Sequence, residues 1–393
     1  MRIFVLLSRI PWPLEKGDKL RAFHQIRCLS ETNEIILCAL NSDRHADKQE
    51  AYRALQPYCK SVTFIDLPGS ARLVNLFRAF VTGRPLQTGY FFNRKARKKV
   101  EELISRHQPS ILYGQLLRVA EYVRKSELPK VLDYQDVFSV GMQRREKLAP
   151  FFLKPFFRME FKRLAHYEAE IFQDFNLKTI ISQPDRSLVP HPGRDQILII
   201  PNGVDHEYFK PAEMAKEFDI VFTGNMAYPP NIDASVYLVE KIMPEVWLKF
   251  PQARVLIAGA TPDKQVQNLQ QQKVKVSGWM DDIRLAYAGS AIFVAPMRLG
   301  TGLQNKLLEA MSMQLPCVTT PLANEPLKAV AGKQILVGDS STTLAGCIVQ
   351  LLNNPSVALE IARQGHQFVQ ENYHWESATK QLERAMRALV DEE

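Results

Sequence analysis

Lys306 and Glu309 are the residues best placed to do chemistry. They lie in the stretch LGTGLQNKLLEAMSM (299–313), behind a run, AIFVAP, with the composition of a buried strand. Gly300 and Gly302 impose no side chain and tolerate φ values that other residues avoid, so the turn can bring backbone N–H groups close to a ligand. A helix is expected over Leu303 to Met313, and its N-terminus favours a phosphate. Lys306 adds a full positive charge, Arg298 is a second cation, and Glu309 lies three residues on, sharing the face of Lys306. One reading is a diphosphate cradle with a carboxylate for two ribose hydroxyls. The other is an ordinary surface ion pair behind a glycine turn.

Further loops invite the same question. In DIVFTGNMAYPPNIDA, Gly224 ends a strand, so that a phosphate or sugar could approach Gly224 and Asn225, while Asn231 and Asp233 suit a cap on the next helix. In SGWMDD, Gly278 and Trp279 could flank a nucleobase, or the Trp could serve packing alone. After the first strand, SRIPWPLEKGDKLRAFHQI places Asp18 and Lys19 at a helix start, where Asp18 is either a functional carboxylate or an N-cap. VLDYQDVFSV offers Asp133 and Asp136; either could take a proton or bind acceptor hydroxyls, and Asp136 also fits a helix cap. No DxD, GxxxxGK[ST], HExxH, GxSxG or GxGxxG occurs, so the common signatures for a sugar-nucleotide metal, a P-loop, a zinc protease, a serine hydrolase and a dinucleotide site are missing.

Positioning these loops requires two parallel sheets. Strand-like runs fall at 3–7, 34–40, 61–67, 110–114, 130–134, 179–182 and 197–200, then at 219–224, 254–259, 274–278, 291–296, 316–320 and 334–338, with helical patterns between them. A linker near 200–212, IPNGVDHEYFKP, separates the sets. The expectation is an α/β chain of two doubly wound domains, with ligands in a cleft at the carboxyl ends of the strands.

Composition sets outer bounds. At 393 residues, 46% apolar and 23% charged, the chain has the makeup of a soluble two-domain protein. The opening MRIFVLLSR reads as a strand, and five scattered cysteines without a CxxC pair point to a reducing cytoplasm. Residues 1–200 hold 33 Lys and Arg against 21 Asp and Glu, a balance of +12, and the remainder holds 17 against 21, or −4. The first half should therefore face something anionic. In RLVNLFRAFVTGR, Leu73, Leu76, Phe77, Phe80 and Val81 form a helical stripe that suits either a core or a membrane surface, and FFLKPFFRMEFKRL interleaves aromatics with bases. No RNA-binding signature accompanies them, and no nucleic-acid partner is expected.

With these residues in view, the IPNGVD hinge, GNMAYPPNIDA, SGWMDDIR and above all APMRLGTGLQNKLLEAMSMQLPCV resemble retaining GT-B glycosyltransferases of the family 4 type, closest to those found with bacterial exopolysaccharide export systems. SRIPWPLEKGDKLRAFH and LDYQDVFS are similar to that subgroup as well, so the resemblance spans nearly the whole chain. It implies an acceptor-side Rossmann-like domain over 1–200, a donor domain over 201–374, and a last helix, about 375–393 and starting at Trp375, that returns to the first domain. It implies a UDP- or GDP-linked sugar as donor, a glycan or lipid-linked acceptor, no cofactor, no metal, and a cytoplasmic location, peripheral on the inner membrane face if the basic half docks there. Glu309 matches the second glutamate of the family's Glu, seven residues, Glu motif, which binds the ribose. Asn305 and Lys306 match the Asn-Lys pair that meets the diphosphate, with Leu303 and Gln304 in the same donor-binding turn, and the Gly17 region matches the glycine loop over the donor phosphates. The first motif glutamate falls on Thr301, and the usual Arg and Lys after the first strand of the donor domain are absent from GNMAYPPN. The resemblance leaves two rivals: a nucleotide-sugar 2-epimerase of the same fold, and a catalytically silent scaffold.

Overall fold

Every run expected to be a strand forms one. In the first sheet these are β1 (Arg2–Leu7), β2 (Glu34–Asn41), β3 (Ser61–Asp66), β4 (Ile111–Gln115), β5 (Lys130–Asp133), β6 (Leu177–Ile180) and β7 (Leu198–Ile199). In the second they are β8 (Phe218–Thr223), β9 (Val255–Ala258), β10 (Val274–Gly278), β11 (Ser290–Ala295), β12 (Cys317–Thr319) and β13 (Leu336–Val337). The structure is a computed structural model that describes residues 1–300 and 302–391.

The strands are legible because helices cover both sheet faces. In β1, Phe4 and Leu6 join one buried cluster while Ile3, Val5 and Leu7 join another, the period of two expected when alternate side chains leave opposite faces. Both faces being apolar, the sequence shows an unbroken hydrophobic run.

The first sheet has the order β3-β2-β1-β4-β5-β6-β7 and the second β10-β9-β8-β11-β12-β13. Their pairings are parallel. Strand order reverses between β1 and β4 in one sheet and between β8 and β11 in the other. Chains leaving a parallel sheet on either side of such a reversal part in opposite directions and leave a crevice at the carboxyl ends of those strands. That geometry brings the loop after β8 beside the loop after β11.

The chain divides into one unit of Met1–Pro201 plus the residues from Trp375, and a second of Asn202–His374. The Trp375–Asp391 helix joins the first unit through Trp375, stacked on His24 with ring centroids 4.9 Å apart, and through Ala378, Leu382 and Met386, four residues apart on one face. Among the described residues no single helix is long and apolar enough to cross a membrane.

Two expectations change here. The Gly69–Val81 helix leaves Leu73, Phe77, Phe80 and Val81 exposed, so that stripe is no part of the core. Asp133 is fully buried and saturated: Arg21 donates to both its oxygens at 2.7 and 3.2 Å, Thr179 donates at 2.8 Å and Tyr113 at 3.3 Å. It has no free lone pair for an acceptor and serves to hold β5, β6 and the Gly17–Leu29 helix together.

Candidate active site

The second unit's reversal point gathers Gly224, Asn225 and Asn231 from behind β8 and Gly300 and residues 302–309 from behind β11. Gly300 and Gly302 take φ of 104° and 77°, which a side chain would strain. The following helix, Asn305–Ser312, starts two residues later than the sequence suggests and has Gln304 as N-cap with no side-chain capping bond. Its first N–H groups therefore face the loop without a capping side chain, the arrangement that attracts an anion.

Lys306 sits in this first turn. Its ammonium donates to Asn231 Oδ1 at 2.5 Å, lies 4.6 Å from the centre of the Phe222 ring, and makes no ion pair among the described residues. Burial lowers its pKa from 10.5 to about 7, with the charge of Glu309 acting the other way. Space at the ammonium is made by glycine: a Cβ on Gly224, whose φ is 151°, would stand 2.7 Å from Asn231 Nδ2 and 3.1 Å from Lys306 Nζ. Gly259 is constrained in turn, since a Cβ there would meet the Gly224 carbonyl oxygen at 1.8 Å.

Glu309 lies one turn along. Its carboxylate accepts a 2.7 Å bond from Tyr287, whose hydroxyl also meets Thr223 Oγ1 at 2.8 Å. Burial raises the pKa of Glu309, while the Tyr287 bond and the charge of Lys306 pull it down. A partly buried cation and a tethered carboxylate thus share one helix face beside glycine backbone and uncapped N–H groups.

Other predicted residues fall differently. Arg298 pairs with Asp233 at 2.6 and 3.1 Å and lies over Tyr237. Asn231 and Asp233 lie inside the Pro229–Tyr237 helix and do not cap it; Asn231 accepts from Lys306 and donates to the Asn225 carbonyl at 2.9 Å, and Asp233 accepts from Arg298. Asn225 Oδ1 accepts from the backbone N–H of Ala227, and Asn305 Oδ1 accepts from Asn202. Leu303 is buried beneath the turn. Gly278 closes β10 at φ 69°, and Trp279 beyond it is 57% exposed, so it serves no core. Thr301 lies outside the described residues.

In the first unit, Gly17 opens the Gly17–Leu29 helix with Lys16 as N-cap, and Asp18, within the first turn, is no cap but pairs with Arg9 at 3.1 Å. Arg9, Asp18, Lys19 and Gln115 line a cavity of about 10 Å³ at the carboxyl ends of β1 and β4. Asp136 accepts from the adjacent Val137 N–H, while the first turn of the Phe138–Leu148 helix is held by buried Glu168, which accepts from Ser139 N and Oγ. Sequence reasoning missed Tyr287, Thr223, Phe222 and Glu168. None belongs to a motif, and each reaches its partner from a distant element.

This geometry can be set beside known proteins. Residues 217–354 match the sequence model of the family Glycosyl transferases group 1. The chain has the GT-B fold. Sucrose-phosphate synthase from Thermosynechococcus elongatus superposes with a TM-score of 0.74 over 100% of both chains at 14% identity. HepE of Anabaena, solved in complex with UDP-glucose, gives 0.68 over 98% of this chain and 99% of its own, also at 14% identity. By sequence, the uncharacterized 44.6 kDa protein in the cps region of Klebsiella pneumoniae is 23% identical over 392 residues, or 95% of this chain and 96% of that one. Lys306 and Glu309 both lie within the stretch that the family model matches.

Proposed function

We propose that this protein is a retaining glycosyltransferase that moves a sugar from a UDP- or GDP-linked donor to a glycan or lipid-linked acceptor in the assembly of a bacterial exopolysaccharide or other surface glycan. The observation that carries the reading is Lys306: a partly buried ammonium with no ion pair among the described residues, its hydrogen bond going to the neutral amide of Asn231, beside an uncapped helix N-terminus and a side-chain-free backbone. Such a site is incomplete until an anion enters it. The family match over 217–354, the UDP-glucose bound by HepE and the cps location of the Klebsiella relative support the same direction.

In this reading the donor diphosphate rests on Lys306 and the N–H groups of the turn, and Glu309 holds the ribose. The bond from the anomeric carbon to the diphosphate oxygen breaks as the acceptor hydroxyl attacks from the same face, and the hydroxyl proton leaves on the departing phosphate. Charge gathers on that phosphate in the transition state, where a preorganised cation stabilises it most. No protein nucleophile and no metal are required.

Incubation with a panel of nucleotide sugars, with and without EDTA, tests the proposal. Free nucleotide with a glycosylated product of unchanged anomeric configuration by NMR is expected in both conditions. A 2-epimer of the donor sugar, binding without turnover, or activity that disappears with EDTA and returns with Mn²⁺ would each overturn the corresponding part.

A further inference from the structure

From Leu67 to Val100 the chain holds eight Lys and Arg and not one Asp or Glu. Within that stretch the Gly69–Val81 helix turns its large apolar side chains to solvent: Leu73 and Phe77 are each 72% exposed and Phe80 is 51% exposed. A second group stands at the start of the Lys154–Glu170 helix, where Phe151, Phe152 and Phe156 are 84, 65 and 42% exposed.

The two groups adjoin. Arg163 donates to the carbonyl of Phe80 at 3.0 Å and lies 5.3 Å from its ring centre. Phe156 precedes Arg163 by seven residues, two turns or roughly 10 Å along the same helix face. Between them Glu160 accepts the Leu86 N–H at 2.7 Å, fastening the segment after the first helix to the second. Six exposed apolar side chains on two tethered helices and the turn that leads into the second exceed what an isolated soluble surface ordinarily shows.

Charge identifies what covers them. Arg78, Lys154 and Lys162 are exposed and make no ion pair among the described residues. Protein interfaces are depleted in lysine. A lipid surface, in contrast, accepts aromatic rings at the acyl boundary while Lys and Arg meet phosphate headgroups just above. FFLKPFFR, with bases set between phenylalanines, has that form.

We infer that this face of the first unit docks on an anionic lipid bilayer. The inference stands apart from the transfer chemistry, since none of its residues belongs to the donor site.

Flotation with phosphatidylcholine vesicles, with and without phosphatidylglycerol, tests it. The protein should float with the anionic vesicles alone and release as salt is raised. Leu73→Ser with Phe77→Ser should reduce partitioning about tenfold or more, and Lys154→Glu with Lys162→Glu should abolish the preference for anionic lipid. These positions are solvent-exposed, so thermal melts should match the parent. Equal binding to both vesicle types, no binding, or indifference to both double variants would overturn the inference. A concentration-dependent dimer in sedimentation, lost in the Phe77→Ser variant, would assign the face to a second copy instead and overturn it too. Nucleotide binding by the variants should stay at the parent level; vesicle binding without any transfer activity would count against the transferase reading alone.

Discussion

Lys306 gives its short hydrogen bond to the side-chain oxygen of Asn231, 75 residues earlier in the chain, and no carboxylate neutralises it among the described residues. A partly buried ammonium without an ion pair is a cost to the ligand-free fold that the ring of Phe222 and the more distant charge of Glu309 offset only in part. Lys306→Met should therefore leave the free protein at least as stable as the parent while lowering kcat about 10²–10³-fold. Urea unfolding and steady-state kinetics measure the two effects. A variant that is less stable than the parent and turns over normally would show that Lys306 only packs the turn.

Titration of the same ammonium gives a pH signature. Its pKa in the free site is about 7, lowered from 10.5 by burial, and a bound diphosphate must raise it again. Binding then takes up a proton, so nucleotide affinity should fall between pH 7 and 9, approaching tenfold per unit, and Lys306→Met should flatten the slope. The stability of the free protein should move the other way. Above pH 7 the unfolded chain keeps the proton that the folded chain has lost, so this group's contribution to stability rises with pH up to about 10.5. Calorimetric titration across that range in two buffers of different ionisation enthalpy counts the protons; zero uptake contradicts the assignment.

Glu309 should matter for binding more than for the chemical step. Tyr287 fixes its carboxylate, and the ribose it is placed to hold changes little as the glycosidic bond breaks. Glu309→Gln should weaken nucleotide binding about tenfold to a hundredfold with a smaller change in kcat, and Tyr287→Phe should do the same more weakly. A kcat collapse with unchanged Kd would give Glu309 a direct part in the reaction.

The strands and the Lys306 turn were readable because their causes are local. A strand buried on both faces is a continuous apolar run, and a Gly-x-Gly turn before a helix shows in five residues. What sequence reasoning misassigned depended on distant partners. Arg298 stood out as a second cation in the turn, and its pairing with Asp233, 65 residues earlier, could not be read from the sequence. Asp133 looked available because its four donors come from Arg21, Tyr113 and Thr179. The stripe from Leu73 to Val81 has the same period whether it faces a core or solvent, so periodicity could not decide its exposure.

The buried pair of Arg21 and Asp133 supplies the last prediction. Both side chains are fully enclosed, and a second nitrogen of Arg21 reaches the carbonyl of Ile200 at 3.0 Å, just ahead of the division at Pro201. Burial disfavours the guanidinium charge, but the adjacent Asp133 carboxylate prevails and raises the pKa of Arg21 overall. Removing one partner leaves the other charge enclosed and unpaired, which costs about 3–5 kcal/mol, whereas removing both with apolar groups of similar volume restores much of the loss. Arg21→Met should accordingly lower the melting temperature of the first unit by on the order of 10 °C, and Arg21→Met with Asp133→Leu should recover at least half. Calorimetry resolves the cycle. A double variant as unstable as the sum of its singles would show that the two residues act through separate partners, with the Ile200 carbonyl and Thr179 carrying the stabilisation in place of the ion pair.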